Sequence, residues 1–150
     1  MFESGKFYFV KDEFYSRFSD CGLMANKANG FHGRPCYFAV EIDYICWLVP
    51  ISSQVEKYER IYAEKILRYR NYDGIKFGYV NGERRAFLLQ NLFPITSNYL
   101  DNIYMVNQVA VTVNKKFGAK IEKTVRKILR LYDKGIRITL TDIKEILKRL

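Results

Sequence analysis

The chain has 150 residues, 49% of them apolar, with 25 Lys/Arg against 16 Asp/Glu, a formal net charge of +9 and a single histidine. That length and apolar content give one domain (1–150) able to bury a core of its own, and exclude both a disordered chain and a miniprotein that needs disulfides or metal to fold. Three cysteines, Cys21, Cys36 and Cys46, without CxxC spacing read as small buried residues in a reducing compartment, and with one histidine they leave too few ligands for the usual metal sites.

A short strand is predicted over 6–10, then a helix over 12–18 with Phe14, Tyr15 and Phe18 at helical spacing. A loop rich in Gly and Asn covers 19–33 and ends at Arg34-Pro35. Residues 36–42 and 45–49 read as two strands joined at Asp43-Tyr44; they are apolar at nearly every position, which marks the centre of a sheet. Pro50 is expected to stop the second, and Ser52 or Ser53 to cap a helix in which Val55, Tyr58, Ile61, Tyr62, Ile66 and Tyr69 recur. On its outer face Glu56 with Arg60, and Glu64 with Arg68, form favourable i,i+4 pairs. Gly74 ends this region. A hairpin follows over 75–80 and 84–89, because Asn81-Gly82 supplies the two positive-φ residues of a type I′ turn. A strand or turn is expected over 92–95, and 100–113, with many β-branched residues, is left unassigned. A helix spans 115–134, stopped by Gly135, and a last short helix starts near 139–142, where a threonine can cap and Asp142 suits the first turn.

Residues 111–150 hold twelve Lys/Arg against four Asp/Glu, whereas the first 110 hold thirteen against twelve. Lys116, Lys120, Lys123, Lys127, Arg130 and Lys134 recur at steps of four and three, forming one narrow stripe opposite the apolar Phe117, Ile121, Val125, Ile128, Leu129 and Tyr132. An aligned row of cations suits an anionic polymer whose phosphates release counterions when neutralised, so a nucleic acid is the first partner to consider; a merely solvated helix face is the other reading. No apolar stretch is long enough to span a bilayer and residues 1–10 carry no leader pattern, so a cytoplasmic protein without membrane partners is expected.

The remaining candidate chemistry lies at the ends of the two central strands. In a tight antiparallel hairpin the start of one strand lies beside the end of the next, so His32 and Arg34 should adjoin Ser52 and Ser53, with Lys57 one turn into the following helix. Orphan N–H groups, two hydroxyls, a guanidinium and an ammonium make a pocket for phosphate; serines that only cap a helix are the competing reading. Glu41 and Asp43 alternate onto one strand face but lack the third ligand of a magnesium site. Neither a P-loop, a G-x-G-x-x-G nor a G-x-S-x-G segment occurs.

The run 34–42 (RPCYFAVEI), the segment 47–53 (WLVPISS) and the segment 86–95 (AFLLQNLFPI) together resemble the ToxN/AbiQ-type endoribonuclease toxins of bacterial type III toxin–antitoxin systems, nearest the CptN and TenpN branches. The resemblance implies an α+β fold: a strongly twisted antiparallel sheet, an SH3-like partial barrel similar to MazF and Kid, wrapped by helices. It implies a phage-defence toxin that cleaves single-stranded mRNA without metal or cofactor. It also implies inhibition by a small repeated RNA antitoxin, which the toxin processes and with which it closes into a cyclic hetero-oligomer. Carried over by position, the hydroxyl pair falls on Ser52 and Ser53 and the basic residue on Arg34. The usual lysine two residues beyond the second hydroxyl is Val55 here, leaving Lys57 as the nearest cation, and the upstream tyrosine is replaced by Phe31 and His32.

On this reading Ser53, helped by Ser52, binds the scissile phosphate, Arg34 and Lys57 stabilise developing charge, and His32 transfers a proton. Gln90, Asn91 and exposed tyrosines are candidate base readers, with buried amides or core aromatics as the competing reading, and the basic helix holds the RNA. A non-catalytic RNA- or DNA-binding module, or a domain that binds an acidic protein, would use the stripe without the serines.

Overall fold

The computed structural model describes residues 1–25, 27–28 and 32–150, with the side chains of 26–32 left aside. The strands are β1 (Phe7–Val10), β2 (Lys27–Ala28), β3 (His32–Gly33), β4 (Cys36–Ile42), β5 (Ile45–Ser52), β6 (Lys76–Val80), β7 (Glu83–Phe87), β8 (Phe93–Ile95), β9 (Leu100–Ile103), β10 (Met105–Val106) and β11 (Val109–Ala110). The helices are α1 (Asp12–Arg17), α2 (Val55–Tyr69), α3 (Lys115–Asp133) and α4 (Ile143–Arg149). A seven-stranded antiparallel sheet runs β6-β7-β5-β4-β1-β9, with β8 also paired to β5, and its described path is open. It is the expected α+β arrangement, without closure into a barrel.

The unbroken apolar run of β4 and β5 has a plain cause: both faces of the sheet are covered. On one face Phe7, Tyr37, Val49, Ile51 and Phe87 pack beneath Ile121, Val125 and Ile128 of α3. On the other, Tyr8, Val10, Phe38, Leu48 and Phe93 meet Phe14 of α1 and Ile146 of α4. The register shifts between Phe38 and Val40, so that Phe38 with Leu48 serves the second core and Val40 with Trp47 the first. A third cluster seats α2 through Tyr58 on Ile75, Ala86 and Leu88.

Among the described residues, three hairpin turns place two consecutive residues at positive φ: Asp43-Tyr44 (51° and 67°), Asn81-Gly82 (51° and 79°) and Asn107-Gln108 (52° and 67°). The last lies in the stretch that sequence left unassigned and joins β10 to β11.

Several boundaries differ from expectation. β5 runs through Pro50 to Ser52 rather than stopping at the proline. Residues 83–95 pair along β5 in two stretches, and the segment between β7 and β8 loops out opposite Val49-Pro50, so the missing donor faces a gap in the ladder; the Pro50 carbonyl still accepts from Leu88 N at 2.9 Å. The α2 N-cap is Gln54, without a side-chain capping bond, so neither serine fills that place. That helix ends earlier than Gly74, at Arg70 in the left-handed conformation (φ 65°). Neither Glu56 nor Glu64 pairs with its i+4 arginine among the described residues; Glu59 instead meets Arg84. The cap of α4 is Asp142, whose Oδ1 accepts from Glu145 N at 3.1 Å, while Thr139 and Thr141 are buried. The basic helix α3 stands as expected, capped by Asn114, whose Oδ1 accepts from Lys116 N and Phe117 N.

Candidate active site

The hairpin logic that predicts neighbours at the end of the central strands matches the backbone. With Cys36 opposite Pro50, the β4 side brings Arg34 level with Ser52. The half-buried Arg34 side chain donates from Nη1 to the Ile51 carbonyl at 2.7 Å and from Nε to the Ala25 carbonyl at 3.4 Å. Across β5, Ile51 faces Phe87 and Ser52 faces Ala86 in β7, so one further step brings Ser53 level with Arg85. A cleft of about 440 Å³ opens here, lined by Arg34, Ser53, Asn81, Glu83, Arg85 and Tyr104 among others.

The two serines part company. Ser53 is exposed and lines the cleft. Ser52 is only 4% exposed, and its Oγ accepts from Gln54 N at 3.1 Å. A hydroxyl so placed braces the turn into α2 rather than facing a substrate, which corrects the expectation that both hydroxyls meet the phosphate. Lys57 is exposed, its Nζ 5.2 Å from the Tyr58 ring centroid, and lines an adjoining hollow of about 470 Å³ that Ser53 also borders. His32 pairs through its backbone with Ala28, and its side chain lies outside the described residues.

Gln90 and Asn91 are each 7% exposed, in the short turn between β7 and β8. Gln90 Oε1 accepts from the Tyr72 hydroxyl at 2.6 Å, while its backbone N donates to the Gly74 carbonyl and its carbonyl accepts from Leu140 N. These bonds tie the segment after α2, the turn and the approach to α4 together, so Gln90 is structural; with Asn91 equally buried, both are corrected from the base-reading set. Burial also pushes the Tyr72 hydroxyl pKa up.

The basic stripe takes the predicted form on α3, with Lys116, Lys120, Lys123, Arg130 and Lys134 exposed. Lys127 is the exception, half-buried with Nζ 2.7 Å from Asp73 Oδ2. Asp73 also lies 4.0 Å from Lys76, whose pKa is lowered chiefly by burial and further by Lys120 and Lys127, against the pull of Asp73. Lys76, Lys120 and Arg84 share a hollow of about 340 Å³ walled by Tyr62, Phe77 and Phe117. Positive charge thus continues from α3 onto the β6–β7 hairpin, where adjacent Arg84 and Arg85 belong to this hollow and to the cleft respectively.

Among the solved structures that match this architecture are two that cover 98% of the chain. Lactococcal AbiQ, an anti-phage endoribonuclease belonging to a type III toxin–antitoxin system, superposes with a TM-score of 0.72 at 12% identity, with 96% of its own chain covered. The chain has the ToxN/AbiQ fold. The second match, from a bacterial type III system in which a non-coding RNA pseudoknot selectively inhibits the toxin, has a TM-score of 0.67 at 14% identity, again with 96% of that chain covered. No family model matches the sequence, and no curated protein matches it. Among the described residues no helix of this ToxN/AbiQ fold is long and apolar enough to cross a membrane.

Sequence reasoning missed Glu83, Arg85 and Tyr104 in the cleft. A signal for Arg85 was present: in the β7 run Glu83-Arg84-Arg85-Ala86-Phe87 it shares parity with Phe87, which is fully buried under α3, so a cation stands on the core-facing side of a strand. The three cysteines are buried and free, and burial pushes Cys36 up to about 12 and Cys46 up to about 11.

Proposed function

We propose that this chain is an endoribonuclease toxin of a type III toxin–antitoxin system, cutting single-stranded RNA in the cleft at the end of β5. The observation that carries the reading is the convergence of exposed Ser53 with the Arg34 and Arg85 guanidiniums on one cleft, in a chain whose fold is that of AbiQ. A hydroxyl between cations matches a phosphodiester, and Ser53 and Arg34 stand within two residues of the paired ends of β5 and β4, with Arg85 inside β7.

In the proposed reaction the substrate's own 2′-oxygen attacks the adjacent phosphorus while the bond to the 5′-oxygen breaks, leaving a 2′,3′-cyclic phosphate and a 5′-hydroxyl. One proton leaves the 2′-hydroxyl and one reaches the departing oxygen, and no covalent enzyme intermediate forms. Ser53 hydrogen-bonds a non-bridging oxygen, with Ser52 holding its turn. Arg34 stabilises the charge that develops on the phosphorane, and Lys57 meets the backbone as it leaves past Ser53. His32, next to Gly33 of the cleft wall, is assigned proton transfer. None of these steps calls for a metal ion or cofactor. The α3 stripe holds a small, repeated, structured RNA antitoxin, which the toxin processes from its precursor, and toxin and RNA copies close into a ring.

The test is to incubate the purified protein with mixed-sequence RNA in excess chelator and to compare the parent with Ser53→Ala and Arg34→Ala. Cleavage by the parent that is lost in both variants is expected. RNA binding by a parent that never cleaves would replace this reading with a non-catalytic RNA-binding module. For the assembly, light scattering of the co-expressed complex should give a closed multimer; a 1:1 particle would contradict the ring.

A further inference from the structure

We infer that Arg85 is a second phosphate-binding guanidinium of the cleft, and that Glu83 is the resident anion it releases when RNA enters. The inference rests on the ribonuclease reading of the cleft and adds a residue and a competing contact to it.

The end of β5 is flanked on both sides. Arg34 reaches it from the β4 side, donating to the Ile51 carbonyl, and Arg85 stands level with Ser53 on the β7 side. A phosphate at the Ser53 hydroxyl therefore lies between two guanidiniums, with Arg34 held by the Ile51 and Ala25 carbonyls on one side and Arg85, whose planar fork suits phosphate better than a lysine would, on the other.

The placement of Arg85 is costly unless it serves something. Its strand neighbours of the same parity run from Phe87, fully buried, to Glu83 at the turn, and the residue opposite it in β6 is Gly78, against which Phe117 of α3 closes. The Arg85 side chain keeps only 26% exposure, at the border where this packed face opens into the cleft. Two of its donors are engaged, Nη1 to the Arg84 carbonyl at 2.9 Å and Nη2 to Glu83; the others have no partner among the described residues.

Glu83 also lines the cleft, with its side chain 66% exposed. A carboxylate in a groove for a polyanion works against binding, yet here it neutralises a half-buried guanidinium while no RNA is present. An ion pair this exposed is weak: Glu83 meets Arg85 through one oxygen, on Nη2, whereas a phosphate can meet the guanidinium through two and carries more charge. RNA entry exchanges one anion for the other at Arg85.

The two residues should thus act in opposite directions, which a purely structural ion pair would not do. The probe is a fluorescent mixed-sequence 20-nucleotide 2′-O-methyl RNA, which cannot cyclise, read by anisotropy across a salt series, alongside cleavage of unmodified RNA. Arg85→Ala should weaken binding roughly tenfold and make the salt dependence shallower by about 0.7 in log–log slope, with Arg85→Lys in between. Glu83→Gln should tighten binding about two- to fivefold, more than Glu13→Gln, an exposed control on α1. In the Arg85→Ala background Glu83→Gln should tighten binding no more than Glu13→Gln does. If its full gain persists there, or if its gain in the parent background matches the Glu13 control, Glu83 is only one more negative charge and the inference is overturned. Parent-like binding by a folded Arg85→Ala overturns it as well. Should Arg85→Ala not fold, the comparison of Glu83→Gln with Glu13→Gln decides alone. A parent that fails to cut RNA sinks the ribonuclease reading; a parent that cuts while these shifts are missing sinks only this inference.

Discussion

Replacing each of the two adjacent serines by alanine separates structure from chemistry within one dipeptide. Ser52 is buried and its Oγ is the acceptor for Gln54 N, so Ser52→Ala leaves a backbone donor unpaired at the entry to α2. Loss of such a local acceptor costs about 1–2 kcal/mol. With a urea slope of about 2 kcal/mol per molar for a domain of this size, the unfolding midpoint should fall by about 0.5–1 M. Ser53 is exposed and its hydroxyl makes no hydrogen bond among the described residues, so Ser53→Ala should change stability by less than about 0.5 kcal/mol. Its effect should appear in cleavage instead: removing one donor from a developing phosphorane typically costs about 100- to 1000-fold in rate. Urea unfolding followed by circular dichroism, paired with single-turnover cleavage of mixed RNA, reads both quantities on the same preparations. Ser52→Ala should keep a rate within about tenfold of the parent wherever it remains folded. A folded Ser53→Ala that cleaves like the parent, or a Ser52→Ala of parental stability that has lost cleavage, would refute the division of roles.

Gly78→Ala should destabilise the chain by about 1–3 kcal/mol in urea, because a Cβ there would lie 2.5 Å from ring atoms of Phe117, itself edge-on to Phe87 at 4.9 Å; a neutral result would contradict the close seating of α3 on β6. Burial raises the thiols of Cys36 and Cys46 from 9.0 to about 12 and about 11, so the folded state keeps protons that the unfolded chain releases. That contribution is fully present below pH 9 and is lost as pH rises toward the folded values, at about 1.4 kcal/mol per pH unit per thiol. Urea midpoints from pH 8 to 10 should therefore decline less steeply in Cys46→Ala than in the parent, and parallel declines would refute this. Lys120→Gln with Lys123→Gln should leave the unfolding midpoint unchanged but flatten the salt dependence of RNA binding by about 0.7–0.9 for each phosphate no longer neutralised; an unchanged slope would assign the stripe to solvent.

Elements whose chemistry is local were legible in the sequence. The Asn81-Gly82 hairpin, the doubly apolar strands β4 and β5 and the amphipathic α3 each follow from periodicity or turn residues within a short window. What failed depended on partners distant in sequence. Pro50 ends a strand by the local rule, but its missing donor faces the gap between β7 and β8, so the strand continues. Gln90 and Asn91 read as base readers or as buried amides, and the contacts that decide for burial come to Gln90 from Tyr72, Gly74 and Leu140, at a distance in the chain. In the site, the approach of Arg34 to Ser53 follows from hairpin geometry, whereas Arg85 enters from a strand more than thirty residues later and needed the β5–β7 register to be placed. Read from sequence, both serines have a hand on the phosphate, with Ser53 leading; they part because β5 buries its last side chain, Ser52, while Ser53 just beyond it is exposed.

The central claim is that a ribose 2′-hydroxyl attacks its own phosphate in the cleft beside Ser53. End analysis of RNA cut by the parent protein in excess chelator tests it most directly, with a matched RNA carrying 2′-deoxyribose at the mapped cut. The account predicts 2′,3′-cyclic phosphate and 5′-hydroxyl ends, and an uncut deoxy-substituted strand. Products bearing 5′-phosphate, or cleavage that survives removal of the 2′-oxygen, would contradict it.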